Sequence, residues 1–181
     1  MNWPIRGIGN SDYNYTKYTG ELTSYLNFEP GGVLKYRLKM GSIIGEAPNF
    51  KEFQLGGVGS LRALPYKSLS GGMPGNGHLG NQMILSNVEM QFGSPINSSN
   101  SWLDFDDFFL SLFLDSGWIN YSDELQKKSS SFADFSEFSF SDLRHNAGIG
   151  IGSSLIRFEL AWDLNETERA PVFWVRLNPT F

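Results

Sequence analysis

Alternation of apolar and polar residues is the feature of this sequence that most restricts its fold. It is clearest in residues 155–164, where large apolar residues alternate with Arg157, Glu159, Ala161 and Asp163. In an extended strand, a period of two places each set of side chains on its own face, which a helix does not do. This segment is therefore predicted to be a β-strand with one apolar face and one polar face.

Six further segments follow the same rule, so the sequence predicts seven strands and an all-β fold. They are residues 21–28, 33–44, 84–92, 108–115, 145–152 and 172–181. The composition agrees, because aromatic residues make up 15% of the chain and 20 of its residues are glycine. Such a composition favours short extended segments and turns over a helical bundle.

The links between the predicted strands alternate in length. Residues 29–32 and 153–154 form tight turns, whereas residues 46–80 and 120–142 form long loops. Within the second long loop, the polar segment 123–139 is predicted to be a flexible surface loop. Short turns on one side of the sheet and long loops on the other are typical of an antiparallel membrane β-barrel.

A membrane barrel also suits the length and polarity of the strands. Segments of ~10 residues with an apolar outer face and a polar inner face are the pattern of membrane strands, and no stretch approaches the ~20 apolar residues of a membrane helix. A soluble β-protein with an apolar interior would show the same alternation and stays open. The first six residues lack the features of an export signal, so for a barrel we expect the signal and earlier strands to lie outside this chain.

The barrel hypothesis predicts where aromatic side chains lie. Tracing the strand directions places one outward-facing set near the long-loop rim and another near the short-turn rim, as two interfacial girdles require. The first set is Trp118, Trp162 and Phe173, and the second is Phe28, Phe92 and Phe181.

Charge and motifs exclude several classes of function. The net charge of −5 argues against a nucleic-acid partner, and the absence of cysteine excludes disulfides and thiolate metal sites. No catalytic motif is present, so we expect no enzyme, no cofactor and no metal. The carboxylates of Asp104, Asp106 and Asp107 suit a hydrated strand start better than a calcium site.

Two motifs carry a resemblance to a known family. The long loop contains FQLGGVGSLRALPY at residues 53–66, and FLDSG follows at residues 113–117. They resemble the Gly-Gly, Ser-Leu-Arg-Gly-Tyr loop and the F-x-D-x-G strand motif of the BamA-like outer-membrane assembly barrels, the bacterial surface antigen family. The matching loop residues are Gly56, Gly57, Leu61, Arg62 and Tyr66, and the matching strand residues are Phe113, Asp115 and Gly117.

The resemblance extends over roughly residues 16–181 and implies an architecture. It implies the last seven strands of a barrel of about sixteen, with loop 46–80 folded back into the lumen. It also implies that Arg62 meets Asp115, with Glu89 as a second acidic neighbour, and that terminal Phe181 belongs to an insertion signal. Ala63 stands where the family has glycine, and a positive φ there would strain alanine.

The resemblance implies a function in the bacterial outer membrane. A member of this family assists the insertion, assembly or translocation of proteins, so the expected partners are outer-membrane lipids, client outer-membrane or secreted proteins, and periplasmic assembly factors. Two alternatives remain from the sequence alone. The barrel could anchor or export an attached domain, or the chain could be a soluble β-barrel binding protein.

Overall fold

The computed structural model describes residues 13–28, 31–73, 75–93, 108–127, 135–153 and 155–177. Within these ranges, seven strands form one antiparallel sheet in the order of the sequence, and each strand pairs with the next. The strands are β1 (Asn14–Phe28), β2 (Gly32–Glu46), β3 (Gln82–Phe92), β4 (Phe109–Asn120), β5 (Arg144–Gly152), β6 (Ile156–Asp163) and β7 (Val172–Leu177). A short helix, α1, spans Asp123–Gln126. No helix in these ranges is long and apolar enough to span a membrane.

The predicted all-β fold with seven antiparallel strands is confirmed, although two strands are longer than expected. β1 begins at Asn14 rather than at residue 21, and β4 continues to Asn120 rather than ending at residue 115. The ladder of β1 with β2 extends to the pair of Asn14 and Glu46, in a stretch where threonine and tyrosine replace the aliphatic alternation. Predicted residues 178–181, including Phe181, lie outside the described residues.

The two faces of the sheet differ in polarity in the way a membrane wall requires. On the outward face, Leu22, Leu26 and Leu112 are each more than half exposed. On the inward face, Asp115 and Glu159 are almost completely buried. This distribution is the reverse of that in a soluble domain, where large apolar side chains are buried and charges are exposed.

The loop between β2 and β3 packs against the inward face near the long-loop rim. Its residues share an apolar core with side chains from β2, β3 and β4: Ile43, Phe53, Leu55, Leu61, Leu64, Met83, Leu85 and Ile119. Gly41 of β2 makes room for this packing, because a Cβ atom there would lie 2.3 Å from the Phe53 ring. The loop is therefore fixed to the wall by a hydrophobic contact close to its base.

On the outward face, part of the loop between β4 and β5 covers the wall. Residues 135–142, here called the aromatic strap, place the rings of Phe135 and Phe138 at centroid distances of 6.2 and 5.3 Å from the Trp118 ring. Trp118 is only 5% exposed as a result. Trp118 does face outward near the long-loop rim, as predicted, but the strap lies over it and keeps its ring from the exposed surface that a girdle residue needs. Of the predicted surface loop 123–139, residues 135–139 are irregular and lie at the surface, residues 123–126 form α1, and residues 128–134 lie outside the described residues.

The other predicted girdle residues within the described ranges lie near the two rims. Trp162 and Phe173 are exposed at the long-loop side. At the short-turn side, the Phe28 and Phe92 rings meet edge to face at 6.2 Å.

Candidate functional site

The tip of the long loop is a compact turn that depends on glycine. Gly56, Gly57 and Gly59 have φ values of 119°, 89° and 80°, a region that disfavours side chains. The Gly57 N–H donates to the carbonyls of both Leu61 and Leu64, at 3.0 Å each. A Cβ atom at Gly56 would lie 2.4 Å from the carbonyl oxygen of Pro65. The glycines thus allow the chain to close the turn that carries Arg62 at the loop tip.

Arg62 extends from this turn to Asp115 on β4. Its Nε atom donates to Oδ2 and its Nη2 atom to Oδ1, both at 2.8 Å. The backbone N–H of Arg62 also donates to Oδ2, at 3.3 Å. Both side chains are buried. Two parallel bonds between a guanidinium and a carboxylate fix orientation as well as distance, so the loop has one preferred seat on the wall.

Two more wall carboxylates complete the surroundings of Arg62. Its Nη1 atom donates to Oε2 of Glu89 on β3 at 3.0 Å and to Oε1 of Glu159 on β6 at 2.8 Å. The Phe113 ring lies beneath the guanidinium, with Cζ 3.4 Å from the ring centroid. Arg62 therefore binds acids from three strands and an aromatic face, which suits the stacking preference of arginine.

Wall arginines share the same carboxylates. Arg157 contacts Glu89 through Nη1 at 2.8 Å and Glu159 through Nε at 3.0 Å. Arg176 of β7 reaches Glu159 at 3.4 Å. We call Arg62, Glu89, Asp115, Arg157, Glu159 and Arg176 the inner charge cluster. Within this cluster the wall supplies three carboxylates and two arginines, and the loop arginine balances the charge.

The loop backbone is also bound by three strands. The indole Nε1–H of Trp174 on β7 donates to the Arg62 carbonyl at 2.7 Å. Asn146 of β5 accepts from the Ala63 N–H at 3.2 Å. Asn87 of β3 donates at 2.8 Å to the Ser60 carbonyl and at 2.8 Å to Asp115. The polar groups of the turn are thus satisfied by the wall, as burial requires.

The remaining predicted site residues differ in position. Leu61 is buried and faces Gly117, where a Cβ atom would lie 3.0 Å from Leu61 Cδ1 and 3.2 Å from Leu55 Cδ1. Tyr66 is 72% exposed and is not brought into the cluster with Arg62. Ala63 is not among the residues with a positive φ, so the backbone strain that such a φ would cause is absent. Its methyl group packs with Phe113 and Ala161. Phe181 and the three aspartates at 104, 106 and 107 lie outside the described residues.

Sequence reasoning did not single out Arg157, Glu159, Asn146 or Trp174 as site residues. A signal was present for the two charged residues, because the alternation of β6 places both on the polar face. Their height along the wall depends on register, which pairs Glu159 with Gly150 on one side and with Trp174 on the other. Trp174 could not be assigned a role from the sequence, because its partner is a backbone carbonyl of the loop and no residue type marks such a partner.

A buried carboxyl lies at the base of the same loop. Glu52 is 9% exposed, and its Oε2 atom has no hydrogen-bond partner within the described residues. Burial raises the pKa of Glu52 to about 7, against an opposing effect of the Lys17 charge. The ammonium of Lys17 lies 4.1 Å from the centroid of the neighbouring Phe53 ring. The protonation of Glu52 therefore changes near neutral pH.

Comparison with known proteins adds a family to this geometry. The model of the Omp85 superfamily domain matches residues 4–175. Among solved structures, the chain is similar to BamA from Haemophilus ducreyi lacking POTRA domains 1-3, with a TM-score of 0.62 and 19% identity. The match covers 92% of this chain and 36% of that one, so the described sheet corresponds to about a third of that structure. No curated protein matches the chain.

Proposed function

Because the chain belongs to the Omp85 superfamily, we propose that it forms the last strands of a bacterial outer-membrane barrel that helps to insert or translocate other proteins. One observation supports this most strongly. Arg62, carried on a loop, is held on the inward face by carboxylates from β3, β4 and β6. We take this seated loop to favour a barrel with a function of its own over one that only anchors an attached domain.

The outward face supports the membrane location of this barrel. Leu22, Leu26 and Leu112 would expose large apolar surfaces to water in a soluble protein, whereas lipid accepts them. The soluble binding protein considered from the sequence is therefore disfavoured. We propose lipid as the solvent of this face and water as the solvent of the inner charge cluster's open side.

The locked loop and the sheet edge suggest how clients would be handled. An unpaired strand edge is a template on which a client strand can add by backbone hydrogen bonding. Trp174 and Arg176 connect β7 directly to the loop cluster. We propose that the seated loop holds β7 in the geometry in which client strands pair, and that client outer-membrane or secreted proteins and periplasmic factors are its partners.

Reconstitution of the full-length protein tests this function. Liposomes containing it should accelerate the folding of a small client barrel into a protease-protected form, relative to empty liposomes. The Arg62→Met variant should lose most of this acceleration. Arg169→Met is the matched control, because Arg169 pairs with exposed Glu166 on the link between β6 and β7.

Each outcome has a distinct meaning. No acceleration by the wild-type protein, despite correct insertion, would overturn the assembly function and favour a barrel that anchors or exports an attached domain. Equal activity of the wild type and Arg62→Met would retain the assembly function but reject a need for the locked loop.

A further inference from the structure

The aromatic strap is a part of the molecule that the proposed function does not use. It crosses the outward face of the sheet from β2 toward β5. Phe135, at its start, lies beside Tyr18 and Met40, and Phe138 packs edge to face against Trp118 of β4. Chain that lies on the outside of a membrane wall occupies space that lipid would otherwise fill.

The strap has an inner and an outer apolar layer. Phe135 and Phe138 form the inner layer and bury Trp118. Phe140 forms the outer layer: its ring lies 5.1 Å from that of Phe138, yet it is 79% exposed. A large apolar ring held outward by a second ring, rather than folded inward, is placed to contact an apolar medium.

The polar residues of the strap are arranged for an interface. Glu137 accepts a hydrogen bond from Asn120, the last residue of β4. Ser139 and Ser141 are joined at 2.8 Å, and Ser141 donates to Asp142 at 3.3 Å. These groups satisfy one another locally, while the Phe140 ring stays exposed. Such a mixture is characteristic of segments that lie in the boundary between headgroups and acyl chains.

We propose that the strap is a lipid-contact element in which Phe140 inserts into the outer boundary of the membrane and replaces Trp118 in the aromatic girdle. The partner is the headgroup and upper acyl region of the lipid. The proposal is continuous with the exposed Trp162 and Phe173 at the same rim. It requires the chain to lie in a membrane but not to assemble other proteins.

Site-specific fluorescence in the full-length protein tests the strap. A single cysteine at Phe140→Cys is labelled with an environment-sensitive dye in liposomes whose lipids carry a quencher either high or low on the acyl chain. We expect several-fold stronger quenching by the high quencher than by iodide in the water. Leu112→Cys, on the exposed outward face of β4, should respond best to the low quencher, and Glu168→Cys, on an exposed link, should respond to iodide.

The result that overturns the proposal is a Phe140→Cys signal quenched by iodide and insensitive to both lipid quenchers. Protection from all three quenchers would also overturn it, since protein rather than lipid would then cover the site. Heat-modifiable migration of each variant shows that the barrel is folded. Because this readout needs no client, it is independent of the assembly test.

Discussion

Arg62 and Asp115 lie 53 residues apart in the chain and are joined by two parallel hydrogen bonds of 2.8 Å. The pair connects a loop tip to the middle of a strand, and the aspartate is completely buried. A contact of this kind contributes little while both partners are present, because desolvation offsets the attraction, but losing one partner leaves a buried charge. Docking of the loop should therefore be most sensitive to substitutions that remove one charged partner and leave the opposite charge buried.

Arg62→Met should release the loop. Methionine keeps much of the apolar stem but leaves three wall carboxylates facing two arginines, so we expect a loss of about 3–5 kcal/mol from the free energy of loop docking. Limited proteolysis of loop 47–80 in the folded barrel measures the loss. Arg169→Met should cleave like the wild type, and equal cleavage of both variants would contradict the prediction.

The effects of Arg157→Met and Arg62→Met on loop docking should not be additive. The two arginines share Glu89 and Glu159, so either one can partly compensate for the absence of the other. We expect the double variant to lose more free energy of loop docking than the two single variants together. A double-mutant cycle should measure this excess as about 0.5–3 kcal/mol. Additivity of the two losses would mean that the arginines act independently.

Trp174→Phe should loosen the loop and β7 together. Phenylalanine keeps the ring but loses the N–H that donates to the Arg62 carbonyl, a loss of about 0.5–1.5 kcal/mol. Hydrogen exchange should become faster in residues 57–64 and in β7. The control is Trp162→Phe, on the outward face, which should leave the loop unchanged; faster exchange in β7 alone would show that the indole does not couple the two segments.

Loop docking should weaken as the pH rises toward neutrality. The pKa of Glu52 is about 7 in the folded chain against 4.5 for an ordinary glutamate, so the folded state binds the extra proton between these values. Stability therefore falls as the pH increases through this range and is unaffected by this group below it. Proteolysis of loop 47–80 should be slower at about pH 5.5 than at about pH 8.

Glu52→Gln is the matched variant for this pH effect. Glutamine keeps the size of the side chain but cannot ionise, so the difference between the two pH values should shrink. Retention of the full wild-type difference in Glu52→Gln would assign the effect to another group.

Ala63→Gly should destabilise the loop, even though glycine is the residue that the family resemblance suggests. Ala63 does not need a positive φ, and its methyl group contacts Phe113 and Ala161. Loss of the methyl group and the added freedom of the unfolded chain should cost about 1 kcal/mol. Urea titration of loop docking measures this, and a stabilised variant would show that the backbone at this position is strained.

The strands could be predicted from the sequence because alternate side chains of a strand point to opposite faces of the sheet, and each set must suit the surroundings of its own face. That rule identified the faces of all seven strands, but it failed where chain folds over a face. Trp118 obeys the alternation of β4 and is still shielded, because the covering rings come from a polar loop with no periodicity. Periodicity specifies the direction of a side chain and not what lies above it.

The inner charge cluster was predictable only in part for a similar reason. Arg62 and Asp115 belong to recognisable motifs, the resemblance implies Glu89 as an acidic neighbour, and the structure brings the three together. Arg157 and Glu159 belong to a strand whose pattern reveals an inward face but not its height relative to Asp115. That height follows from the register of β4 with β5 and of β5 with β6, which turn geometry and packing determine.

Gly117 leaves a recess in the wall that the tips of Leu61 and Leu55 fill. The side chains at positions 61 and 117 thus occupy the same space. If the turn is to stay docked on the wall, one of them can become larger only when the other becomes smaller. Relatives with a bulkier residue at 117 should carry a smaller one at 61, so aligned sequences should show the two positions varying as a pair.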